Sequence, residues 1–263
     1  MMSFLQNSPG HIVKNETGPD DPELQETMQE AFSQVSPDDL VAVADELHAR
    51  HEIYAERFSD PQKLWAPDQE ELKRFFREAT YANKHAKQAS AYFENVAFMP
   101  LAGGLLHGQG GPAERIVEFV KKTGDLDRRL SLELATSILH YFQPEKHWLW
   151  TRWMWDPGKK TGILPLTAGG THNLEADNLQ EGYVKVGSVS AMSARFAEGT
   201  GLISDALIGD PRRSPFAVDV FLASSYAVYL YGITSWRLSR EFNNLLPTLP
   251  DLMRKLLGLP KQK

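Results

Sequence analysis

The sequence predicts a mainly α protein: a single irregular helical domain with a long central apolar helix and glycine-rich connecting loops. Apolar residues recur at helical spacing along much of the chain, and proline with acidic residues marks several helix starts. Strands do not alternate with helices, which argues against a doubly wound sheet. The 263 residues are 42% hydrophobic and 24% charged, so wholesale disorder is excluded.

The domain boundaries follow from where periodicity begins. Residues 1–19 show no period and predict a flexible N-terminal tail. Residues 20–263 predict a single helical domain, with an acidic helical subregion over 20–94. A first helix is expected from Asp21 to Val35, and its apolar face comprises Leu24, Met28 and Phe32.

The second helix has the clearest start signal. Ser36 is a favoured N-cap residue, Pro37 suits the first helical position, and Asp38 and Asp39 complement the positive end of the helix dipole. We expect this helix to end near Phe58. The residues expected to be buried are Leu40, Val43, Leu47, Ile53 and Tyr54.

Further helices follow through the first half of the chain. One starts at Ala66-Pro67-Asp68, with an apolar stripe of Leu72, Phe75, Phe76 and Tyr81, and residues 83–90 extend or reopen it. Residues 95–111 predict a glycine-rich connection. Pro112 then opens a short helix that Gly124 closes, and Leu130–Phe142 forms another.

The second half is expected to be less regular. Trp148–Trp155 continues as helix after a kink, and residues 156–187 form a long irregular stretch with a short strand at Tyr183–Val186. A helix covers Val189–Phe196. The longest helix runs from Ser214 to about Asn243, and the last starts at Pro250.

Charge is concentrated at the two ends. Asp20–Asp60 carries twelve acidic residues against two arginines, and Arg237–Lys263 carries six basic residues against two acidic ones. The ends are expected either to dock on each other, within one chain or between two subunits, or to be solvated helix faces. Nucleic acid is not expected as a partner, because only the C-terminal end could supply a basic surface.

Composition also limits the chemistry and the location. Cysteine is absent, which excludes disulfides, a thiolate nucleophile and cysteine-ligated metal. Phe216–Trp236 is long enough to cross a bilayer, but Asp219 lies inside it, so we expect a core helix and no membrane contact. No secretory signal is visible, and a cytoplasmic location is expected.

The densest cluster of candidate ligand-binding residues lies at 140–155. Trp148, Trp150, Trp153 and Trp155 offer stacking surfaces for a planar ligand or a partner protein, with Arg152 between them. Alternatively, the indoles form a core layer and Arg152 pairs with an internal carboxylate. Weak candidate metal ligands in the same region are His140, Glu145 and His147.

Asp219 is the candidate catalytic carboxylate, with Arg152 as its companion. A carboxylate on an apolar helix is either paired, with Arg152, Arg212 or Arg213, or has a raised pKa. The runs Ser137–Pro144 and Ala217-Val218-Asp219 weakly resemble the helix-hairpin-helix DNA glycosylases. That resemblance implies a catalytic role for Asp219, although no catalytic lysine stands in a matching motif.

Three function classes follow. The first is a helical accessory or scaffold protein that binds a protein partner, or a second copy of itself, through the aromatic cluster and the charged ends. The second is an enzyme acting on a planar substrate, such as a nucleobase, through Asp219. The third is a His/carboxylate metal- or ligand-binding module. The cofactor requirement is left unknown by the sequence.

Overall fold

The computed structural model describes residues 35–59, 67–80, 83–168, 172–237 and 247–260. Within these ranges the chain forms eleven α-helices and no β-strand, which confirms the mainly α prediction. The helices are α1 (Pro37–Phe58), α2 (Gln69–Ala79), α3 (Asn83–Phe93), α4 (Phe98–His107), α5 (Pro112–Lys122), α6 (Arg128–Phe142), α7 (Ile163–Thr167), α8 (Leu179–Gly199), α9 (Asp205–Ile208), α10 (Ala217–Arg237) and α11 (Leu249–Leu256).

Helix starts were the most predictable feature. Ser36 caps α1, because its hydroxyl accepts the Asp39 backbone N–H at 3.1 Å. Asp68 caps α2 in a reciprocal capping box with Glu71. One predicted core residue is wrong: Ile53 is 40% exposed.

Three segments differ from the sequence-based expectation. Residues 98–107 are helical rather than a loop, because burial of Phe98 and Leu105 outweighs the weak helix propensity of two glycines. Helix α8 begins at Leu179, so no strand forms at 183–186. Residues 148–155 are not helical. The tail, the helix expected over 21–34, Tyr81 and residues 238–243 lie outside the described residues.

Helix α6 occupies the centre of the packing. It is buried along most of its length and packs against α1, α4 and α5. Helix α5 also packs on α8, α8 packs on α10, and α10 packs on α11. No helix in the described ranges has both the length and the apolar character needed to span a membrane.

The C-terminal ends of four helices receive hydrogen bonds from basic side chains of other helices. Such donors satisfy carbonyls that lack an intrahelical partner and complement the negative end of the dipole. Arg50 donates to the carbonyls after α11, His51 to the end of α6, His107 to the end of α1, and Arg115 to the end of α4. These bonds tie distant parts of the sequence together.

The acidic and basic ends of the chain meet within one molecule. Buried Arg254 donates to Glu46 Oε1 at 2.8 Å, so the C-terminal helix docks on α1 through one ion pair. Arg213, which lies outside the basic C-terminal stretch, pairs with Asp45 at 2.6 Å. Among the described residues, the ion pair that joins the two predicted ends is therefore Arg254–Glu46, and it forms within one chain.

Candidate functional site

A stripe of polar side chains on α6 explains why residues 147–152 are not helical. Glu133, Thr136 and His140 share one face of α6, since they are spaced by three and four residues. His140 Nδ1 donates to the His147 carbonyl at 2.7 Å, Thr136 Oγ1 donates to the Trp150 carbonyl at 2.9 Å, and Glu133 Oε1 accepts the backbone N–H of Arg152 at 3.0 Å. The segment 147–152 runs antiparallel to α6, and side chains supply the partners that a helix would otherwise provide.

His140 also joins this stripe to α10. Its Nε2 lies 2.8 Å from Asp219 Oδ2, and the two residues are only 1% and 2% exposed. Asp219 occupies the first turn of α10, where the helix dipole favours a carboxylate. The pair therefore fastens the end of α6 to the start of α10.

The hydrogen bonds determine where the protons of this pair lie. A carbonyl oxygen can only accept, so Nδ1 of His140 carries a proton, and one further proton lies between Nε2 and Asp219. Burial lowers the pKa of His140, but the charge of the Asp219 carboxylate, its hydrogen bond and the His147 carbonyl outweigh burial and raise that pKa above its ordinary value. The pair has no net charge, which lowers the free-energy cost of burying it.

This arrangement corrects the partner expected for Asp219. The sequence suggested Arg152, Arg212 or Arg213, but the partner is His140. Arg212 pairs with Asp210 at 2.8 Å, Arg213 pairs with Asp45, and Arg152 pairs with Glu133. Because both nitrogens of His140 are engaged, neither has a free lone pair with which to act as a general base toward a substrate.

Arg152 belongs to a second buried ionic cluster. Its Nε donates to Glu133 Oε1 at 3.0 Å, and its Nη2 contacts the ring of His85 on α3. Glu133 Oε2 lies 3.4 Å from His85 Nδ1. Seven residues separate Glu133 from His140, about 10 Å along α6. The structure therefore does not bring Arg152 and Asp219 into one constellation.

The four candidate tryptophans mainly fill the core. Trp150, Trp153 and Trp155 are buried, and Trp148 is partly buried. Trp150 packs on Gly182 and Trp148 on Gly187, so closely that a methyl group on either glycine would overlap the indole. Trp153 stacks on Tyr226. This is the core-layer arrangement, with Arg152 paired to an internal carboxylate.

The candidate metal ligands are likewise dispersed. Glu145 is exposed, whereas the His140 ring is fully engaged by its two hydrogen bonds. The His147 ring is buried, and burial together with the charges of Arg115, His140 and Lys146 lowers its pKa to about 4. Within the described ranges, no group of three or more such side chains is arranged to hold a metal ion.

Sequence reasoning missed Glu133 and His85. The signal for Glu133 was present, because it is the one acidic residue in the sequence of α6 and stands between Leu132 and Leu134. His85 gave no such signal, since it lies in a polar stretch of α3 and only the packing of α3 near α6 buries it.

An apolar groove between α5 and α8 was also missed. It has a volume of about 510 Å³ and includes Val117, Val120 and Leu126 on one wall and Leu179 on the other. Val117 at its edge is 37% exposed, and Val184, one turn along α8 from lining residue Gln180, is 50% exposed. The charged residues among the described lining are Lys121 and Arg128.

Comparison with known proteins found no matching family model, no matching curated protein and no matching solved structure. The runs that resemble the DNA glycosylases form the C-terminal end of α6 with the turn after it and the first turn of α10. Their candidate carboxylate, Asp219, is buried against His140.

Proposed function

We propose that this protein is a helical adaptor that binds an amphipathic helix of a protein partner in the groove between α5 and α8. The observation that carries this proposal is the apolar lining of this groove, in which Val117 is 37% exposed. Exposed apolar residues that cluster around a concave surface are typical of interaction sites. A helix that lays its apolar face into such a groove is a common mode of recognition.

The structural contacts of the polar clusters support binding rather than catalysis. His140, Asp219, Glu133 and Arg152 hold α6, α10 and residues 147–152 in place through their hydrogen bonds, and among their atoms Glu133 Oε2 is buried without a hydrogen-bond partner. Active sites need groups that can reach a substrate and change protonation. These four side chains instead give the groove a rigid support through α6, on which α5 packs.

The lining of the groove indicates the chemistry of the partner. Lys121 and Arg128 make no ion pair within the described part of the chain, so they are available to an incoming carboxylate. We therefore expect a helix with an apolar stripe flanked by acidic residues. Electrostatic complementarity of this kind mainly sets specificity and association rate.

The test uses two fluorescent helical peptides with the same leucine stripe, one with glutamates and one with lysines on the polar face. Fluorescence anisotropy with the full chain should show tighter binding of the acidic peptide, and added salt should reduce the difference. Val117→Glu should weaken binding at least about tenfold, because it places a charge on the apolar lining of the groove.

Ile53→Glu is the matched control, because Ile53 is similarly exposed but lies on α1. Its binding should equal that of the unmodified chain. Unchanged binding by the Val117→Glu variant, or an equal loss of binding in the Ile53→Glu variant, would contradict the proposed groove.

A further inference from the structure

We infer that Trp153, Tyr226 and Tyr229 form an electron-transfer column, in which a one-electron oxidation of the buried Trp153 indole ends on the Tyr229 ring at the surface. The described lining of the α5–α8 groove does not include these residues. Tyr229 is therefore a site of oxidative modification that does not depend on the proposed function.

The three rings are stacked one after another from the core to the surface. The ring centroids of Trp153 and Tyr226 lie 6.2 Å apart at an interplanar angle of 23°, and those of Tyr226 and Tyr229 lie 6.1 Å apart at 14°. Trp153 is 4% exposed, Tyr226 is partly buried, and Tyr229 is 43% exposed. These separations are those of interacting aromatic pairs, so the rings form one continuous path for an electron.

The backbone holds each ring in this column. Tyr226 and Tyr229 are three residues apart on α10, so they share one face of that helix. The Trp153 carbonyl accepts the backbone N–H of Ile163 at 2.9 Å, and α7, which begins at Ile163, packs on α10. The indole is therefore fixed against the helix that carries the two phenols.

The surroundings of the rings set the direction of transfer. Trp153 Nε1 is buried and has no hydrogen-bond partner among the described residues, so an indole radical cation there has no acceptor for its proton. A charge that stays buried without a partner is unfavourable, which keeps this radical cation strongly oxidising. The phenol of exposed Tyr229 can release its proton to water, so a neutral phenoxyl radical at the surface is the more stable product.

The reaction starts with a diffusible one-electron oxidant, such as the carbonate radical. One electron passes from the Trp153 indole to the oxidant, which is reduced to its anion. One electron then passes from Tyr229 through the Tyr226 ring to Trp153, and the Tyr229 O–H proton goes to water. Trp153 is restored and the unpaired electron lies on Tyr229. Two such radicals on different chains join by a carbon–carbon bond to give dityrosine, and the ring hydrogens at the new bond move to the oxygens.

Composition favours Tyr229 as the end of the path. Cysteine, whose thiol is readily oxidised, is absent from the sequence. Among the described tyrosine side chains, Tyr229 is the most exposed. Tyr92 is partly buried, and its ring contacts Phe93, which is not readily oxidised. Tyr229 therefore combines access to solvent with a stacked connection to an indole.

Flash photolysis of the full chain tests the transfer. Light that indole absorbs and phenol does not ejects an electron from tryptophan, and a scavenger removes that electron. We expect the phenoxyl absorption to grow as the indole radical absorption decays, at a rate independent of protein concentration. Tyr226→Phe with Tyr229→Phe keeps both rings but removes both phenols, so this double variant should lose most of the growth. Tyr92→Phe is the control and should leave it unchanged.

Mass spectrometry of dityrosine after the same irradiation identifies the donor and the end of the path. Cross-linked chains should be joined at Tyr229. Trp153→Phe should lower the yield of this cross-link several-fold, although Tyr229 stays exposed. Trp148→Phe is the matched control, because it also removes one indole but that indole packs on Gly187. Its yield should equal that of the unmodified chain.

Three results would overturn the inference. They are unchanged phenoxyl growth in the Tyr226→Phe/Tyr229→Phe variant, equal cross-link yields in Trp153→Phe and Trp148→Phe, and a cross-link that forms mainly at another tyrosine. Circular dichroism checks that each variant is folded. If Trp153→Phe does not fold, Tyr226→Leu takes its place in the mapping, because it removes the middle ring and should lower the yield in the same way.

Discussion

Substitution of Asp219 tests how much the buried His140–Asp219 pair contributes to stability. In Asp219→Asn the new amide can donate to Nε2 of a neutral His140, whose Nδ1 still donates to the His147 carbonyl. The loss is then the difference between a charge-assisted and a neutral hydrogen bond, about 1 kcal/mol. Asp219→Ala leaves a buried ring nitrogen unpaired and a cavity, which should cost about 3–5 kcal/mol.

A double substitution separates the pair from its surroundings. His140→Phe alone leaves the Asp219 carboxylate buried without its partner, and this should destabilise as strongly as Asp219→Ala. His140→Phe with Asp219→Leu removes both polar groups at similar volume, so the double variant should be more stable than His140→Phe alone. A coupling energy near zero would show that the pair does not act as a unit.

Thermal and urea unfolding measure these effects. For a chain of this size, 1 kcal/mol corresponds to about 2–4 °C in Tm. Asp219→Asn should therefore lower Tm by about 2–4 °C and Asp219→Ala by about 6–20 °C. If Asp219→Ala has the same Tm as the unmodified protein, the His140–Asp219 pair does not stabilise the fold and the reasoning is refuted.

The pH dependence gives an independent check. Because the pKa of His140 is raised in the folded chain, its contribution is fully present below the ordinary histidine pKa and is lost as pH rises through the folded value. The stability advantage over Asp219→Asn should therefore shrink at alkaline pH. An advantage that grows with pH would contradict the proton placement.

Three further predictions use other buried groups. Burial and nearby cations lower the pKa of His147 to about 4, so protonation of His147 favours unfolding as pH falls from about 6.5 toward 4. The His147→Phe variant should therefore lose less stability over this pH range than the unmodified chain, as measured by urea unfolding. Arg152→Gln should destabilise the protein more than Glu133→Gln in the same assay. Arg152→Gln leaves the buried Glu133 carboxylate without its ion-pair partner, whereas in Glu133→Gln water can hydrate the partly exposed guanidinium of Arg152. The reverse order would argue against the ion pair. Gly182→Ala should lower Tm, since its methyl group would meet a buried indole at 2.7 Å, whereas Gly103→Ala, with nothing within 4 Å, should stabilise α4 by about 0.5–1 kcal/mol.

Much of the helical framework could be predicted from local sequence. Ser36, Asp68 and Pro112 mark helix starts through interactions within one turn, so the sequence alone locates them. Helix α4 was missed because its two glycines lower local propensity. Its apolar residues are buried against α5 and α6, and Phe98 packs on aromatic rings of α2 and α3. Residues 148–155 were misassigned for the opposite reason. Side chains of α6 bind the backbone at Trp150 and Arg152, and local backbone bonds form only a single turn from Thr151 to Trp155.

The candidate site shows the same division. The sequence by itself determined that Asp219 on an apolar helix needs a partner and that the tryptophans carry large apolar surfaces. The tertiary structure decided that the partner is His140, 79 residues away in the chain, and that Arg152 pairs with Glu133. It also decided that Val117 and Leu179, 62 residues apart in the chain, line one groove. Sequence patterns predict helix starts because the interactions that favour them lie within one turn. The partner of a buried charge depends instead on which groups lie near it in the folded chain. Before folding, several arginines were equally good candidates for Asp219.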